Sequence, residues 1–189
     1  MWISLEIRPR RIYSNSKRNL CLSGVRPLKN LWAPWRMSYI LNDVDSGDAC
    51  FLCKALEASD EECLVLWRGE LTFCIINRYP YNNGHLLIAP NRHVGEVEEM
   101  TDDEMTSMMR DTVRAQKILK NAVHPHGFNW GLNIGRVAGA GLVDHLHMHL
   151  VPRWSGDTNF MPVFADVKVI PQALQDLCAL LREEVARTE

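Results

Sequence analysis

The chain has 189 residues, 47% apolar and 23% charged, with 21 Lys+Arg against 23 Asp+Glu. That suits one globular domain, too apolar to be disordered and too long to need disulfide staples. No run of about 18 apolar residues marks a membrane span, and the net charge of −2 excludes a generic nucleic-acid binder.

The charge is unevenly spread. Residues 1–30 carry seven basic side chains against the single acid Glu6, about +6, which leaves residues 31–189 at about −8. Residues 1–30 therefore read as a basic extension, either a disordered tail or the product of a start codon set too far upstream. A mitochondrial presequence is the alternative for so Arg-rich and acid-poor a segment. The six cysteines form no evident disulfide framework, and no secretory h-region follows Met1. A reducing, cytoplasmic setting is expected.

Order is expected from Leu31-Trp32-Ala33-Pro34-Trp35-Arg36, where two Trp around a Pro want burial. Asp43–Asp48 is turn-like and leads into Cys50-Phe51-Leu52-Cys53. Leu64–Trp67 and Leu71–Ile76 are β-rich runs joined as a hairpin through Arg68-Gly69-Glu70. Tyr79–Gly84 is a turn cluster, and His85–Ala89 is a buried strand closed by Pro90.

Thr101 to Val123 predicts the longest helix. Thr101 and Glu104 fit a capping box, and Met105, Met108, Thr112, Ala115, Leu119 and Ala122 give one apolar face. Pro125 and Gly127 stop it, with His124 and His126 read as surface residues. Phe128–Ile134 and Asp144–Val151 read as strands, and Pro171–Arg187 as a last helix burying Leu174, Leu177, Cys178 and Leu181. Strands and helices do not alternate regularly. An α+β fold with an antiparallel sheet follows.

His145-Leu146-His147-Met148-His149-Leu150 carries the chemistry. Side chains alternate along a strand, so the three His share one face, roughly 6.6 Å apart. Three readings compete: satisfied core histidines, a metal centre on all three, or nucleophilic attack at phosphorus with neighbouring imidazoles handling protons. Asn133-Ile134-Gly135 through Gly141 runs into this strand. Its small residues let backbone N–H groups approach a phosphate, which favours the third reading. A binding module that senses nucleotides without turnover is the non-enzymatic rival.

These residues resemble the histidine triad (HIT) superfamily, whose motif His-φ-His-φ-His-φ-φ is matched by His145–Val151. The resemblance spans about residues 31–165. It includes Asn77-Arg78-Tyr79-Pro80 with Gly84-His85, and Asn133-x-Gly135-x-x-Ala138-Gly139. Leu31–Arg36 and Pro152–Phe160 look most like the bacterial diadenosine tetraphosphate phosphorylase-like branch. The resemblance implies an α+β homodimer, each subunit a five-stranded antiparallel sheet with a long helix and a C-terminal helix. It implies attack on the α-phosphate of an adenine nucleotide or dinucleoside polyphosphate. His147 would be the nucleophile. His149 would bind phosphate and assist proton transfer to the leaving group, with His145 and His85 behind them. Asn77 would bind ribose, and Asn133 and Gly139 would line the phosphate side. Relatives carry Ser or Thr just before the triad; Gly139-Ala140-Gly141-Leu142-Val143 has no hydroxyl, so that role has no bearer here. Trp154 and Phe160 are candidates for base stacking or for packing.

Cys50-x-x-Cys53 alone reads as a redox pair, half of a zinc site or two buried thiols. The resemblance supplies His93 and His145 as the other two ligands of a closed, structural Cys2His2 zinc site.

Overall fold

The computed structural model describes residues 50–59, 64–157 and 170–188. The expectations for residues 1–30, Leu31–Arg36, Asp43–Asp48 and Phe160 lie outside them, as do two of the six cysteines, Cys21 and Cys63. A short helix α1 (Phe51–Glu57) precedes strands β1 (Val65–Arg68), β2 (Thr72–Ile76) and β3 (Leu86–Pro90). Helix α2 (Asp102–Val123), strands β4 (Gly127–Leu132) and β5 (Met148–Arg153), and helix α3 (Leu174–Thr188) follow. The strands form one sheet in the order β1-β2-β3-β5-β4, every neighbour antiparallel. The α+β architecture is as expected. Among the described residues, no helix is long and apolar enough to cross a membrane.

The hairpin turns at Gly69, where an added Cβ would lie 2.8 Å from the Thr72 carbonyl oxygen. β1 carries a bulge between Val65 and Trp67. The extra residue lets Leu66 and Trp67 both join the core on one side while Val65 joins the other. β2 and β3 are buried on both faces, which is why they read as continuous apolar runs rather than as an alternation.

One face of the sheet packs against α2 and α3 through Cys74, Ile76, Leu86, Ile88 and Leu150. On the other face, Phe73, Ile75, Leu87 and Ala89 pack against Leu52 and Ala55 of α1. α1 thus covers part of the face that also presents the histidines.

α2 begins as predicted: Thr101 Oγ accepts from Glu104 N at 3.2 Å, and Glu104 Oε2 accepts from Thr101 N at 2.9 Å. Its buried face differs by one position. Met105 is exposed, and Ile118 is buried instead. The cause is Glu104, whose carboxylate is buried in the first turn on Arg92 at 2.8 Å and rotates Met105 outward. The helix ends at His124 in the left-handed conformation, before Pro125. α3 starts at Leu174, three residues after Pro171, because its first backbone bond runs from Leu177 N to the Ala173 carbonyl.

The histidine strand also differs. Its ladder begins at Met148, not at Asp144. Leu146 N donates instead to the Val94 carbonyl at 2.8 Å. Pro90 has no N–H to continue the pairing, and the carbonyls of Pro90 and His145 accept imidazole protons. The alternation survives: Leu146 and Leu150 enter the α2–α3 core.

Candidate active site and metal centre

Leu87 and Gly131 flank His149 in the neighbouring strands. Gly131 brings no side chain to that face, and a Cβ built there meets nothing within 4 Å. The space beside His149 is therefore open. His145, His147 and His149 are all buried, so each proton must be accounted for.

His145 Nε2 lies 2.8 Å from the Pro90 carbonyl. A carbonyl only accepts, so Nε2 carries the proton and Nδ1 keeps its lone pair. That Nδ1 lies 3.3 Å from Cys50 Sγ and 3.5 Å from Cys53 Sγ. His93 Nδ1 lies 3.3 Å from Cys53 Sγ. Cys50 is the N-cap of α1, and Cys53 sits three residues on, so both sulfurs share one side of its first turn. Leu52 and Ala55 press that helix onto the sheet. The sequence motif meets His145 for this reason.

The four donor atoms lie within 4.8 Å of one another. Zinc bonds of about 2.0–2.3 Å in a tetrahedron place ligand atoms about 3.5 Å apart, so the residues fit that ion. The Pro90 bond to His145 orients the ligand from behind. Burial, followed by the neighbouring Cys50, pushes the Cys53 thiol up to about 11. A bound cation would reverse that cost by taking the thiolate form. Among the described residues, the metal-type grouping is Cys50, Cys53, His93 and His145, not the three triad histidines.

His147 Nδ1 lies 2.8 Å from the His145 carbonyl. The proton therefore sits on Nδ1, and Nε2 holds a free electron pair. Burial holds its pKa below the ordinary imidazole value, against that backbone bond. A neutral imidazole with an oriented lone pair is a nucleophile at neutral pH. The His149 ring stands edge-on, 4.9 Å away centroid to centroid.

His149 Nδ1 lies 2.9 Å from His85 Nε2. Gly84, at φ +74, makes the turn that delivers His85 to β3. Tyr81 N donates to His85 Nδ1 at 2.9 Å, and the Tyr81 ring stacks on His149 at 5.5 Å. Sequence reasoning placed Tyr81 in a turn and missed this contact. An aromatic residue four positions before a histidine was the available signal.

Asn77 Nδ2 lies 3.3 Å from His85 Nδ1, and its Oδ1 accepts from Tyr79 N. Asn133 Nδ2 lies 3.4 Å from His149 Nε2 and 3.5 Å from the carbonyl of Gly139. Gly139 ends the tight turn Arg136–Ala138 at φ +92. Asn133 and Gly139 thus flank the triad, while Asn77 stands behind His85. Trp154 Nε1 donates to the Val123 carbonyl at 3.3 Å. His124 and His126 are exposed, and His126 Nδ1 accepts from Ser155 N.

A small α+β sheet carrying alternating imidazoles beside a glycine-rich loop defines the class, and the model of the HIT domain family matches residues 59–156. The chain belongs to that family. It is 44% identical over 167 residues to the AP-4-A phosphorylase of Mycobacterium tuberculosis, covering 85% of this chain and 86% of that protein. A histidine triad nucleotide-binding protein from Sulfolobus tokodaii superposes with a TM-score of 0.60 at 25% identity, over 73% of this chain and 93% of that one. A zinc-bound histidine triad family protein from Mycobacterium smegmatis shares the fold, with a TM-score of 0.60 at 22% identity over 74% of this chain and 95% of that one.

Proposed function

We propose that this protein is a nucleotidyl transferase that splits diadenosine tetraphosphate by phosphorolysis through a nucleotidyl-imidazole on His147. The carrying observation is the 2.8 Å bond from His147 Nδ1 to the His145 carbonyl, which leaves Nε2 free to attack. His149, with Asn133 beside it, meets the α-phosphate. Gly139 completes the phosphate side, and Asn77 contributes from behind His85. The relative named AP-4-A phosphorylase supports the choice of substrate and of acceptor.

Turnover of diadenosine tetraphosphate with and without inorganic phosphate tests the reading. ATP and ADP, formed only with phosphate, are expected. ATP and AMP, formed regardless of phosphate, would identify a hydrolase instead.

Three further assignments belong to this reading. Cys50, Cys53, His93 and His145 hold a structural zinc, whose chemistry is to fix α1 and the start of the histidine segment. The protein is a homodimer, with the exposed Met105, Met109 and Val113 on α2 and the edge strand β4 as its interface. It resides in the cytoplasm, where thiols remain reduced and able to bind metal.

A further inference from the structure

We infer that Asp157 is a positioning residue for the transfer reaction: through the buried amide of Asn82, its carboxylate holds the turn that seats His85 against His149. This deepens the phosphorylase reading and rests on it. The contact joins two stretches 75 residues apart, Tyr81–His85 before β3 and Pro152–Asp157 at the end of β5 and beyond.

The sheet ladder alone does not seat His85. β3 pairs with β5 from Ile88↔Met148 to Leu86↔Leu150, and His85 lies one residue beyond. Its N–H turns back to the Asn82 carbonyl at 3.2 Å, while its own carbonyl accepts from Asn77 N at 2.9 Å. Its ring Nε2 lies 2.9 Å from His149 Nδ1. Where that ring stands therefore depends on where the turn before it sits. The turn lies close on β5: a Cβ added to Gly84 would come within 3.0 Å of the Pro152 ring.

Asn82 fixes the turn from inside. Its Nδ2 lies 3.1 Å from the Pro152 carbonyl and 2.8 Å from Asp157 Oδ2. Both partners only accept, so the atom between them is the NH2 group, and both its protons are used. Asp157 is held as closely. Its Oδ2 also accepts from Arg153 Nε at 2.6 Å and from Trp154 N at 3.2 Å, and its Oδ1 accepts from Arg153 Nη2 at 2.9 Å. Gly156, at φ +77, makes the turn that brings this carboxylate back to Arg153. Arg153 Nη1 reaches Asn129 Oδ1 on β4 at 3.0 Å. One carboxylate, 9% exposed, thus anchors the end of β5, β4 through Arg153, and the entry to β3 through Asn82. Hydrogen bonds to an ionised acceptor are stronger than neutral ones, and a buried amide proton left without a partner is costly. Both effects favour a single position of the turn.

The consequence for the reaction follows from the order of contacts. Asp157 holds Asn82, Asn82 holds the turn, and the turn carries His85 to His149, beside the attacking His147. A misplacement of about 1 Å in a reacting constellation can cost about 10²-fold in rate. Loss of the anchor shifts groups that surround the phosphorus rather than removing a group that binds nucleotide. It should therefore lower kcat more than it raises KM.

Full-length Asp157→Ala, Asp157→Asn and Asn82→Ala variants test this with diadenosine tetraphosphate and inorganic phosphate. Asparagine at 157 keeps an oxygen for the Asn82 amide but loses the charge on Arg153. Asp157→Asn should melt below the parent yet keep kcat within about threefold. Asp157→Ala and Asn82→Ala should each lose about tenfold or more in kcat, with KM within about threefold. The double Ala variant should lose no more than the worse single one, since both remove one contact. If Asp157→Ala does not fold, Asp157→Ser, too short to reach Asn82, takes its place with the same expectation. A kcat that merely follows the melting temperature across the variants would overturn the inference, as would a folded Asp157→Ala with the parent's kcat. The ring 15N resonances of His85 and His149 read the same contact without turnover. They should move in both Ala variants and far less in Asp157→Asn, and equal shifts in all three would also overturn it. If the parent itself does not react, the transferase reading falls, and these spectra still decide whether Asp157 seats His85.

Discussion

The backbone carbonyl of His145 accepts the Nδ1 proton of His147 at 2.8 Å, while the side chain of the same His145 faces the sulfurs of Cys50 and Cys53 at 3.3 and 3.5 Å. One residue belongs to both constellations. In the proposed reading its ring is a ligand of the zinc site, and its peptide orients the attacking imidazole. On that reading a zinc ion there would support the triad and stay outside the reacting atoms.

That division predicts how Cys50→Ser behaves. The protein purified without chelators should hold about one zinc per chain, the stoichiometry of a closed four-ligand site. The variant should lose most of it and melt at a lower temperature. Elemental analysis and a thermal melt on the same samples check this. Unchanged zinc content in the variant would refute the ligand assignment.

His147→Ala separates chemistry from binding. On the proposed mechanism, the substitution removes the attacking nitrogen but leaves Asn133, Gly139 and His149 to hold nucleotide. The expected loss in kcat is about 10³-fold or more, as for removal of an enzymic nucleophile. Nucleotide affinity should change far less. Rapid-quench trapping should find a nucleotidyl-protein in the parent and none in the variant. Full activity in the variant would reassign the nucleophile.

The triad was legible because its spacing matches the strand period, so His145, His147 and His149 declare one face without any tertiary knowledge. The capping box of α2 was legible for a similar local reason. Met105 was not: the buried Glu104 occupies the neighbouring position, and only its partner Arg92, twelve residues earlier, reveals that. The start of β5 was hidden too, since Pro90, which lies outside the segment, ends the ladder and takes the His145 imidazole on its carbonyl. Tyr81 meets His85 through its peptide N–H, which no residue type advertises. His93 and the cysteines become a cluster only when α1 docks on the sheet.

The Arg92–Glu104 pair gives a pH dependence of stability. Hydrogen bonds from Arg92 and from Thr101 lower the Glu104 carboxyl from 4.5 to about 2. A carboxylate depressed on folding stabilises above its unfolded value, and that contribution disappears as pH falls from 4.5 towards about 2. Glu104→Gln removes the charge and weakens the capping box, costing about 1–2 kcal/mol at neutral pH. The two proteins should converge in stability towards pH 2. Denaturant melts across that range measure it, and a constant difference would refute the assignment of the shift.

The outer face of α2 predicts the state of assembly. Met105, Met109 and Val113 are 39%, 48% and 39% exposed at four-residue intervals, so they form one apolar stripe along the helix. β4 is an edge strand, and its Trp130 is 39% exposed on the side of the sheet where α2 packs, because it pairs with the core residue Leu150. A stripe and an open edge on one side are surfaces that soluble chains cover. Association of two copies would cover both at once. Sedimentation of the full chain at micromolar concentration should therefore report a dimer. Met109→Glu would place a charge in the middle of that contact and should raise the dimer Kd by about tenfold or more, since an unpaired buried carboxylate has no compensation there. The triad lies on the opposite face of the sheet, so the variant's histidine tautomers should match those of the parent. A monomeric parent, or a variant that dimerises as tightly as the parent, would remove α2 from the interface.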